Sequence, residues 1–187
     1  DRIAAATYMG AAAITQGSVT LRNIIPSHLG SVISVFEEMG CDISINGRNL
    51  TLVAPSRLQR VKTIRTMPYP GFPTDLQAPV MALTSVAKGT SVIIETIFEN
   101  RFKHVGQLAR LGAKIMVDGR TAVVEGVDRL TGAEVVSPDL RGGCALVLAG
   151  LSAKGTTVVD AINHIDRGYD GLEDVLSSMG ANIKRVE

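Results

Sequence analysis

Hydrophobic positions along the chain predict the same pair of helices three times. The first helix of each pair is apolar almost all round, which indicates burial on every side. The predicted buried helices cover about 3–15, 76–87 and 142–153. The second helix is amphipathic, and in its first copy Leu29, Val32 and Phe36 recur at helical spacing. Between the helices of each pair lies a run rich in Val, Ile and Thr, which predicts a strand. These strands cover about 18–23, 91–96 and 156–161.

Glycine follows each amphipathic helix and predicts a left-handed C-cap. These glycines are Gly40, Gly112 and Gly180. In the first two copies a β-hairpin follows, where Asn46-Gly47 and Asp118-Gly119 predict type I′ turns. A further strand is predicted ahead of the second and third copies, at about 61–67 and 134–137.

The chain is therefore interpreted as three repeats of roughly 65 to 75 residues, which is longer than a solenoid unit. We predict one globular domain over residues 1–187, with repeats at about 1–57, 58–130 and 131–187. The predicted class is α/β, with three buried central helices walled by mixed sheets. The first repeat lacks a leading strand and the third lacks its hairpin. We expect the rest of a longer chain to supply them, and the unpaired strand edges to favour self-association.

Composition narrows the class of protein. Of the 187 residues, 45% are hydrophobic but only 4% are aromatic, so the core must consist of Ala, Val, Ile and Leu. A net charge of +1 argues against nucleic acid or a membrane surface as a partner, and no apolar stretch is long enough for a membrane span. Cys41 and Cys144 are far apart in the chain and lack paired spacing. We therefore expect both to be free, buried thiols in a reducing cytoplasm. No spacing predicts a metal site or a nucleotide-binding loop.

The stretch GFPTDLQ places Asp75 at the start of a predicted helix and allows two interpretations. Thr74 and Gln77 have the spacing of a capping box, and an acid in the first turn suits the helix dipole. Pro79 is comfortable only in a first turn and shifts the expected start by a residue or two. In either case Asp75 lies at the mouth of a helix, where its side chain can also face a cleft.

Differences between the repeats mark candidate chemistry. The second and third repeats place Arg101 and Arg167 at equivalent strand-to-helix turns, near Asp75 and Asp139. Arginine binds carboxylate or phosphate at two points, which suits a small anionic substrate. Arg141 adds a possible third cation at the same rim. The alternative is that these residues form salt bridges between the repeats.

Three weaker candidates have simpler explanations. His104 and His164 lie near the arginine turns and are expected to pack or to support the site. Cys144 lies in a predicted buried helix and is expected to be a small core residue. Gly142 and Gly143 open that helix, which hints at the close approach of an anion.

Four motifs, in order, give the chain a specific resemblance to the enolpyruvyl transferases. They are FPTDLQAP, TIFENRFKHV, SPDLRGGCALVLAGL and INHIDRGYDGLEDVLSSMGANI. The resemblance covers essentially the whole chain and is greatest to the branch that acts on UDP-N-acetylglucosamine. It implies an inside-out α/β barrel: two domains of three βαβαββ-type repeats each, with the active site between them. This chain resembles the carboxy-terminal portion, which forms most of one domain.

The resemblance also implies an activity. The parent enzyme would move the enolpyruvyl group of phosphoenolpyruvate to the 3-hydroxyl of UDP-N-acetylglucosamine and release phosphate, with no metal or organic cofactor. This is the first committed step of peptidoglycan synthesis in the bacterial cytoplasm. The alternatives are a sister enzyme with another acceptor, such as shikimate 3-phosphate, and a non-catalytic module that binds anions.

Residue roles follow from the matched motifs. Asp75 matches the aspartate that contacts the attacking sugar hydroxyl and is the favoured general base. Ile97 matches a residue that lies against the UDP-sugar. Arg101 and Arg167 match arginines at the phosphoenolpyruvate end, and Asp139 matches an aspartate near the reacting enolpyruvyl carbon.

Two family features match nothing in this chain. They are the mobile loop with its proton donor, a cysteine or in some members an aspartate, and an amino-terminal lysine that binds phosphoenolpyruvate. Cys41 and Cys144 lie outside that loop motif and should not inherit its role. We therefore expect this chain alone to fold without catalysing the reaction, because closure of two domains would bring these groups to the substrates.

Overall fold

A computed structural model shows the fold and describes residues 1–186. The α-helices of this part are α1 (Arg2–Ile14), α2 (Gly30–Glu38), α3 (Gln77–Thr84), α4 (Val105–Arg110), α5 (Leu140–Ser152), α6 (Asn163–Asp166) and α7 (Leu172–Ser178). Its strands are β1 (Ser18–Leu21), β2 (Asp42–Asn46), β3 (Asn49–Val53), β4 (Thr63–Arg65), β5 (Thr90–Ile94), β6 (Lys114–Asp118), β7 (Thr121–Glu125), β8 (Glu134–Val136) and β9 (Val158–Asp160). Short 3₁₀ turns occupy Pro26–His28 and Thr74–Leu76. No helix in the described range is long and apolar enough to cross a bilayer.

The three apolar helices pack on one another at the centre of the molecule. Every residue of α3 is buried, and α5 contacts both α1 and α3. Gly10 of α1 lies where the three helices meet, because a β-carbon there would be 3.4 Å from Leu148 Cδ1 and 3.5 Å from Leu83 Cδ1. Small residues thus allow the close helix contacts that a core poor in aromatic side chains requires.

Three separate sheets in residues 1–186 surround these helices. The first has the order β1-β3-β2 and is antiparallel, the second has the order β4-β5-β7-β6, and the third pairs β8 with β9 in parallel. The predicted α/β class is confirmed, but only the second sheet is mixed. The reason is connectivity: β4 and β5 flank α3 and pair in parallel, whereas the β6–β7 hairpin adds antiparallel strands.

The predicted helix caps and hairpins form, with one correction. Positive φ angles of 89°, 93° and 99° at Gly40, Gly112 and Gly180 confirm the left-handed C-caps. The type I′ assignment is wrong. Asn46 pairs with Asn49, so Gly47 and Arg48 are the central residues, and only Gly47 has a positive φ. A type I′ turn needs positive φ at both central positions. The second hairpin likewise has its positive φ at Gly119 alone.

Two strands end earlier than predicted, and in each case a residue at or just after the predicted end has a left-handed backbone. The strand predicted over 156–161 is β9, which ends at Asp160 because Ala161 has a φ of 55°. The strand predicted to extend to Asn23 is β1, which ends at Leu21, and Asn23 has a φ of 59°. Such angles lie outside the extended region and end strand pairing. Both strands therefore stop short of the turns that follow them.

Candidate functional site

Asp75 lies in the 3₁₀ turn that leads into α3. This turn spans Thr74–Leu76, and α3 begins at Gln77. Pro79 is the third residue of α3, inside the first turn, where a missing N–H leaves no helical hydrogen bond unmade. The two conflicting start signals in the sequence are therefore both accommodated: a 3₁₀ turn comes first and the α-helix follows.

The predicted capping box is wrong. In the described chain no side chain caps the Thr74–Leu76 turn or α3. The Thr74 hydroxyl instead donates to Glu95 Oε2 at 2.9 Å. Gln77 is fully buried, and neither atom of its amide has a hydrogen-bond partner among the described residues. A contact with a distant strand thus replaces the local one, and Asp75 does not serve as a helix cap.

The Asp75 carboxylate is held by two arginines. Its Oδ1 atom lies 3.3 Å from Arg101 Nη2 and 3.3 Å from Arg141 Nε. The Asp75 side chain is 42% exposed, against 23% for Arg101 and 16% for Arg141. No donor to Oδ2 is recorded within residues 1–186. Two cations therefore hold one carboxylate oxygen, while the other has no donor among residues 1–186 on a side chain that is 42% exposed.

An aromatic ring supports each arginine. The Phe98 ring lies beneath the Arg101 guanidinium, 5.0 Å from its central carbon, and the Tyr169 ring lies 5.7 Å from that of Arg141. Cation–π contacts of this kind restrain the plane of a guanidinium. The two forks are thus oriented before any substrate is present.

Tyr169 also anchors Arg141 through a chain of hydrogen bonds. Arg141 Nη1 donates to the Tyr169 hydroxyl at 3.2 Å, which lies 2.8 Å from Thr7 Oγ1, and Thr7 donates to the Ile3 carbonyl at 2.9 Å. Arginine can only donate and the Thr7 hydrogen is already used, so Tyr169 must donate to Thr7. Burial raises the pKa of Tyr169, which keeps this hydroxyl protonated. The chain of contacts links α1, the segment after α6, and α5 to Asp75.

Asp139 begins α5 as its N-cap. Its Oδ1 atom accepts the Gly142 N–H at 2.8 Å. The close approach that glycine allows here is to the protein itself: a β-carbon on Gly143 would lie 2.1 Å from Ser137 Oγ and 2.7 Å from Ile165 Cγ1. Close packing against neighbouring side chains therefore accounts for Gly143, and the anion at this glycine pair stays a prediction.

The remaining predicted residues lie around this centre. Ile97 lies in the segment after β5 and is 37% exposed. Arg167 is exposed at the end of α6, and it makes no ion pair within the part of the chain that the structure describes. The structure thus joins Asp75 to Arg101 and Arg141, whereas the sequence suggested Arg101 and Arg167 as the main pair.

His104 is a buried neutral residue beneath the site. It is 1% exposed, and burial lowers its pKa to about 4, with a contribution in the same direction from Arg101 and an opposing one from Asp139. The expectation that it packs is confirmed. No group of three or more potential metal ligands occurs in residues 1–186.

The two cysteines are buried and free, as predicted. Burial raises the pKa of Cys41 to about 11 and also raises that of Cys144. Neither side chain is therefore a thiolate near neutral pH, and both act as small core residues.

Two residues of the site were missed in the sequence. Tyr169 lies in the HIDRGY motif, but nothing local shows that it supports Arg141. Glu95 is an acid inside the apolar run SVIIETIF, and that was an available signal, since an acid in a buried strand needs donors.

This arrangement of sheets around a helical core is that of a known family. A family model described as EPSP synthase (3-phosphoshikimate 1-carboxyvinyltransferase) matches residues 1–176. The chain belongs to this family, and the resemblance to the enolpyruvyl transferases is confirmed.

Two curated relatives match the full length of this chain. The chain is 50% identical over 186 residues to UDP-N-acetylglucosamine 1-carboxyvinyltransferase 2 of Caldanaerobacter subterraneus subsp. tengcongensis, matching 100% of this chain and 45% of that protein. It is 54% identical over 186 residues to UDP-N-acetylglucosamine 1-carboxyvinyltransferase 1 of Symbiobacterium thermophilum, matching 100% and 42%. The chain thus spans less than half the length of these relatives.

A solved structure confirms the fold. The enolpyruvyl transferase NikO from Streptomyces tendae superposes with a TM-score of 0.88 at 24% identity, over 98% of this chain and 44% of that one. At this identity the likeness concerns the fold alone.

Proposed function

We propose that the protein containing this chain transfers the enolpyruvyl group of phosphoenolpyruvate to the 3-hydroxyl of UDP-N-acetylglucosamine and releases phosphate. The observation that carries the proposal is the Asp75 carboxylate, with Oδ1 held by two arginines and Oδ2 without a donor in the described part of the chain. The relatives at 50% and 54% identity, both named for this reaction, support the choice of acceptor.

In this proposal Asp75 is the general base. A base must come within hydrogen-bond reach of the proton that it removes, and Oδ2 is the oxygen free to do so. Arg101 and Arg141 hold Oδ1, so the direction of Oδ2 is set before the sugar hydroxyl arrives. Such preorganisation lowers the barrier because the reacting group needs no reorientation.

The other residues bind the substrates. Within residues 1–186, Arg101, Arg141 and Arg167 each keep N–H donors without a hydrogen-bond partner, which suits the carboxylate and phosphate of phosphoenolpyruvate. Ile97 offers an exposed apolar contact for the UDP-sugar. Asp139 uses Oδ1 as a helix cap, which leaves Oδ2 for a role near the reacting carbon.

A second domain would complete the site. The relatives are more than twice as long as the matched region, and the open face around Asp75 suits closure by another part of the protein. That part would supply the proton donor, a cysteine or an aspartate, and the lysine that binds phosphoenolpyruvate. Closure also removes water, which strengthens each charge contact.

The proposal places the protein at the first committed step of peptidoglycan synthesis, in the bacterial cytoplasm. The family description names 3-phosphoshikimate instead, so a sister activity is the main competitor. We prefer the UDP-sugar because both relatives named for it reach at least 50% identity, whereas the family model describes the broader group.

The test is phosphate release from phosphoenolpyruvate by the full-length protein. It is measured with UDP-N-acetylglucosamine, with shikimate 3-phosphate, and with neither acceptor. We expect phosphate release when UDP-N-acetylglucosamine is the acceptor, and none with shikimate 3-phosphate or without an acceptor. Release only with shikimate 3-phosphate would identify the sister activity, and no release under any condition would favour a non-catalytic module.

A further inference from the structure

Glu95 is a buried carboxylate that the proposed reaction does not use. It follows β5 directly and is 1% exposed. Its Oε1 atom accepts from the Thr66 hydroxyl at 2.8 Å and from the N–H groups of Ile97 and Phe98 at 2.9 and 3.2 Å. Its Oε2 atom accepts from the Thr74 hydroxyl at 2.9 Å. Within residues 1–186 it forms no ion pair, so these four donors alone offset its desolvation.

The directions of these hydrogen bonds identify Glu95 as an acceptor throughout. Backbone N–H groups can only donate. The Thr66 hydroxyl donates to Oε1 at 2.8 Å, and its oxygen accepts the Thr96 N–H at 2.9 Å. An ionised carboxylate, which accepts at both oxygens, is the side chain that fits such a set of donors.

The four donors come from three segments that meet at the candidate site. Thr66 directly follows β4, Thr74 lies in the 3₁₀ turn before α3, and Ile97 and Phe98 lie in the segment after β5. Thr74 directly precedes Asp75 in the chain. Three of these four bonds therefore end on a turn that carries a site residue, and the fourth donor, Thr66, accepts the Thr96 N–H in the segment after β5.

We propose that Glu95 is a positioning residue that fixes the turn carrying Asp75 against the turn carrying Ile97 and Arg101. It acts on Asp75 through Thr74. It acts on Arg101 through Phe98, whose N–H it accepts and whose ring lies beneath the guanidinium. A single carboxylate thus supports both partners of the Asp75–Arg101 contact, one through Thr74 and the other through Phe98.

The exposure of Asp75 makes this support necessary. Its side chain is 42% exposed and so is weakly constrained by packing. The neighbouring residues in the turn are anchored: Leu76 is buried, and Thr74 is tied to Glu95. Without the Thr74 bond, one side of the turn that orients Asp75 would be free to move.

The decisive variants change Thr74, because Glu95→Ala removes all four acceptors at once and can prevent folding. Thr74→Val deletes the hydroxyl at nearly constant volume, and Thr74→Ser keeps it. Thr20→Val is the matched control, since its hydroxyl pairs with Thr51 on an exposed face of the β1–β3 pair. All four proteins, wild type included, are compared as full-length chains.

We expect Thr74→Val to lower kcat by about tenfold or more, since a displacement of about 1 Å at a reacting group can reduce the rate by about 100-fold. The KM for the UDP-sugar should change by less than about threefold, because the lost interaction aims the base rather than binds substrate. Thr74→Ser and Thr20→Val should keep at least about half of the wild-type kcat. A wild-type kcat in Thr74→Val, or an equal loss in Thr74→Ser, would overturn the proposal.

A crystal structure of full-length Thr74→Val provides a readout independent of activity. The distance from Asp75 Oδ1 to Arg101 Nη2, 3.3 Å in the wild type, should increase beyond ion-pair range. An unchanged contact would contradict the proposal. The kinetic part rests on the proposed function, but this distance does not. If the wild type shows no transfer to the UDP-sugar, the proposed function fails and the structure still decides the role of Glu95.

Discussion

The entrances of α3 and α5 begin with equivalent acids but have different structures. At α5, Asp139 Oδ1 accepts the Gly142 N–H at 2.8 Å and caps the helix, as Asp1 does at α1 through the Ile3 N–H at 2.7 Å. At α3, Asp75 faces two arginines, and in the described chain no side chain caps the helix. Equivalent positions in repeats therefore need not share a role.

The difference depends on which cations lie nearby. Arg141 belongs to the entrance of α5, yet its guanidinium reaches Asp75 in the preceding repeat. Arg101 approaches the same oxygen from the segment after β5. Two cations from different repeats thus draw Asp75 away from the helix axis. An N-cap side chain contributes about 1 kcal/mol to the free energy of unfolding. At α3 this contribution is absent, because the Asp75 carboxylate contacts the arginines of the candidate site instead.

The largest expected effect is on turnover when Asp75 loses its charge. In the full-length protein we expect Asp75→Asn to reduce kcat by about 100-fold or more, the lower end of the range for a positioned base. Phosphate release with the UDP-sugar measures it, and a matched melting curve shows that the fold is intact. Near-normal turnover would remove the assignment of Asp75 as the base.

The second prediction concerns pH and the α5 entrance, where His104 is buried. Its pKa falls from 6.5 in the unfolded chain to about 4 in the folded one, so the unfolded state takes up a proton first as the pH falls. Stability is therefore lost progressively between about pH 6.5 and 4. By pH 5 the free energy of unfolding should fall by about 2 kcal/mol through this residue alone.

Denaturant unfolding of the 187-residue chain at pH 7 and pH 5 tests this dependence. His104→Gln is the comparison, since it shares every other titrating group. The variant should lose less stability than the wild type over that interval. Equal losses would mean that His104 titrates normally in the folded chain.

The third prediction tests whether Arg141 depends on the hydrogen bond from its guanidinium to the Tyr169 hydroxyl. Tyr169→Phe keeps the ring beside Arg141 but removes the hydroxyl that links Arg141 to Thr7. Since one hydrogen bond contributes about 1 kcal/mol, we expect kcat to fall by about fivefold. The same change at Tyr8, a partly buried residue of α1, is the control for a lost hydroxyl and should have less effect. Full activity in Tyr169→Phe would show that Arg141 needs no such support.

The smallest expected effect is the loss of the α5 cap. Asp139→Ala should lower the free energy of unfolding by about 1 kcal/mol, and Asp139→Asn by less, because asparagine caps helices about as well as aspartate. Denaturant unfolding of the 187-residue chain measures both. Equal losses in the two variants would show that charge, not the capping hydrogen bond, stabilises this entrance.

Much of the fold was predictable because it depends on short-range patterns. The three buried helices follow from apolar runs, and the left-handed angles at Gly40 and Gly112 follow from their place after an amphipathic stripe. The turn type could not be predicted in this way. The central residues of the first hairpin are Gly47 and Arg48, whereas the sequence suggested Asn46 and Gly47. Strand pairing across the hairpin decided that register.

The site was less predictable because its contacts are distant in the chain. Comparison of repeats and the family resemblance singled out Asp75 and Arg101, but the Tyr169–Thr7 bond joins residues 162 positions apart. The predicted capping box was also wrong because of a distant contact. Thr74 donates to Glu95, 21 positions away, and does not cap its own helix. Local spacing cannot reveal a competing partner that only the folded chain brings near.

The most direct test of these different roles is a crystal structure of the full-length protein with UDP-N-acetylglucosamine. Asp75 Oδ2 should lie within about 3.2 Å of the sugar 3-hydroxyl, the reach of a general base. Asp139 should still accept the Gly142 N–H. An Asp75 that bonds the first N–H groups of α3 as a cap, with the sugar hydroxyl bound elsewhere, would contradict this account.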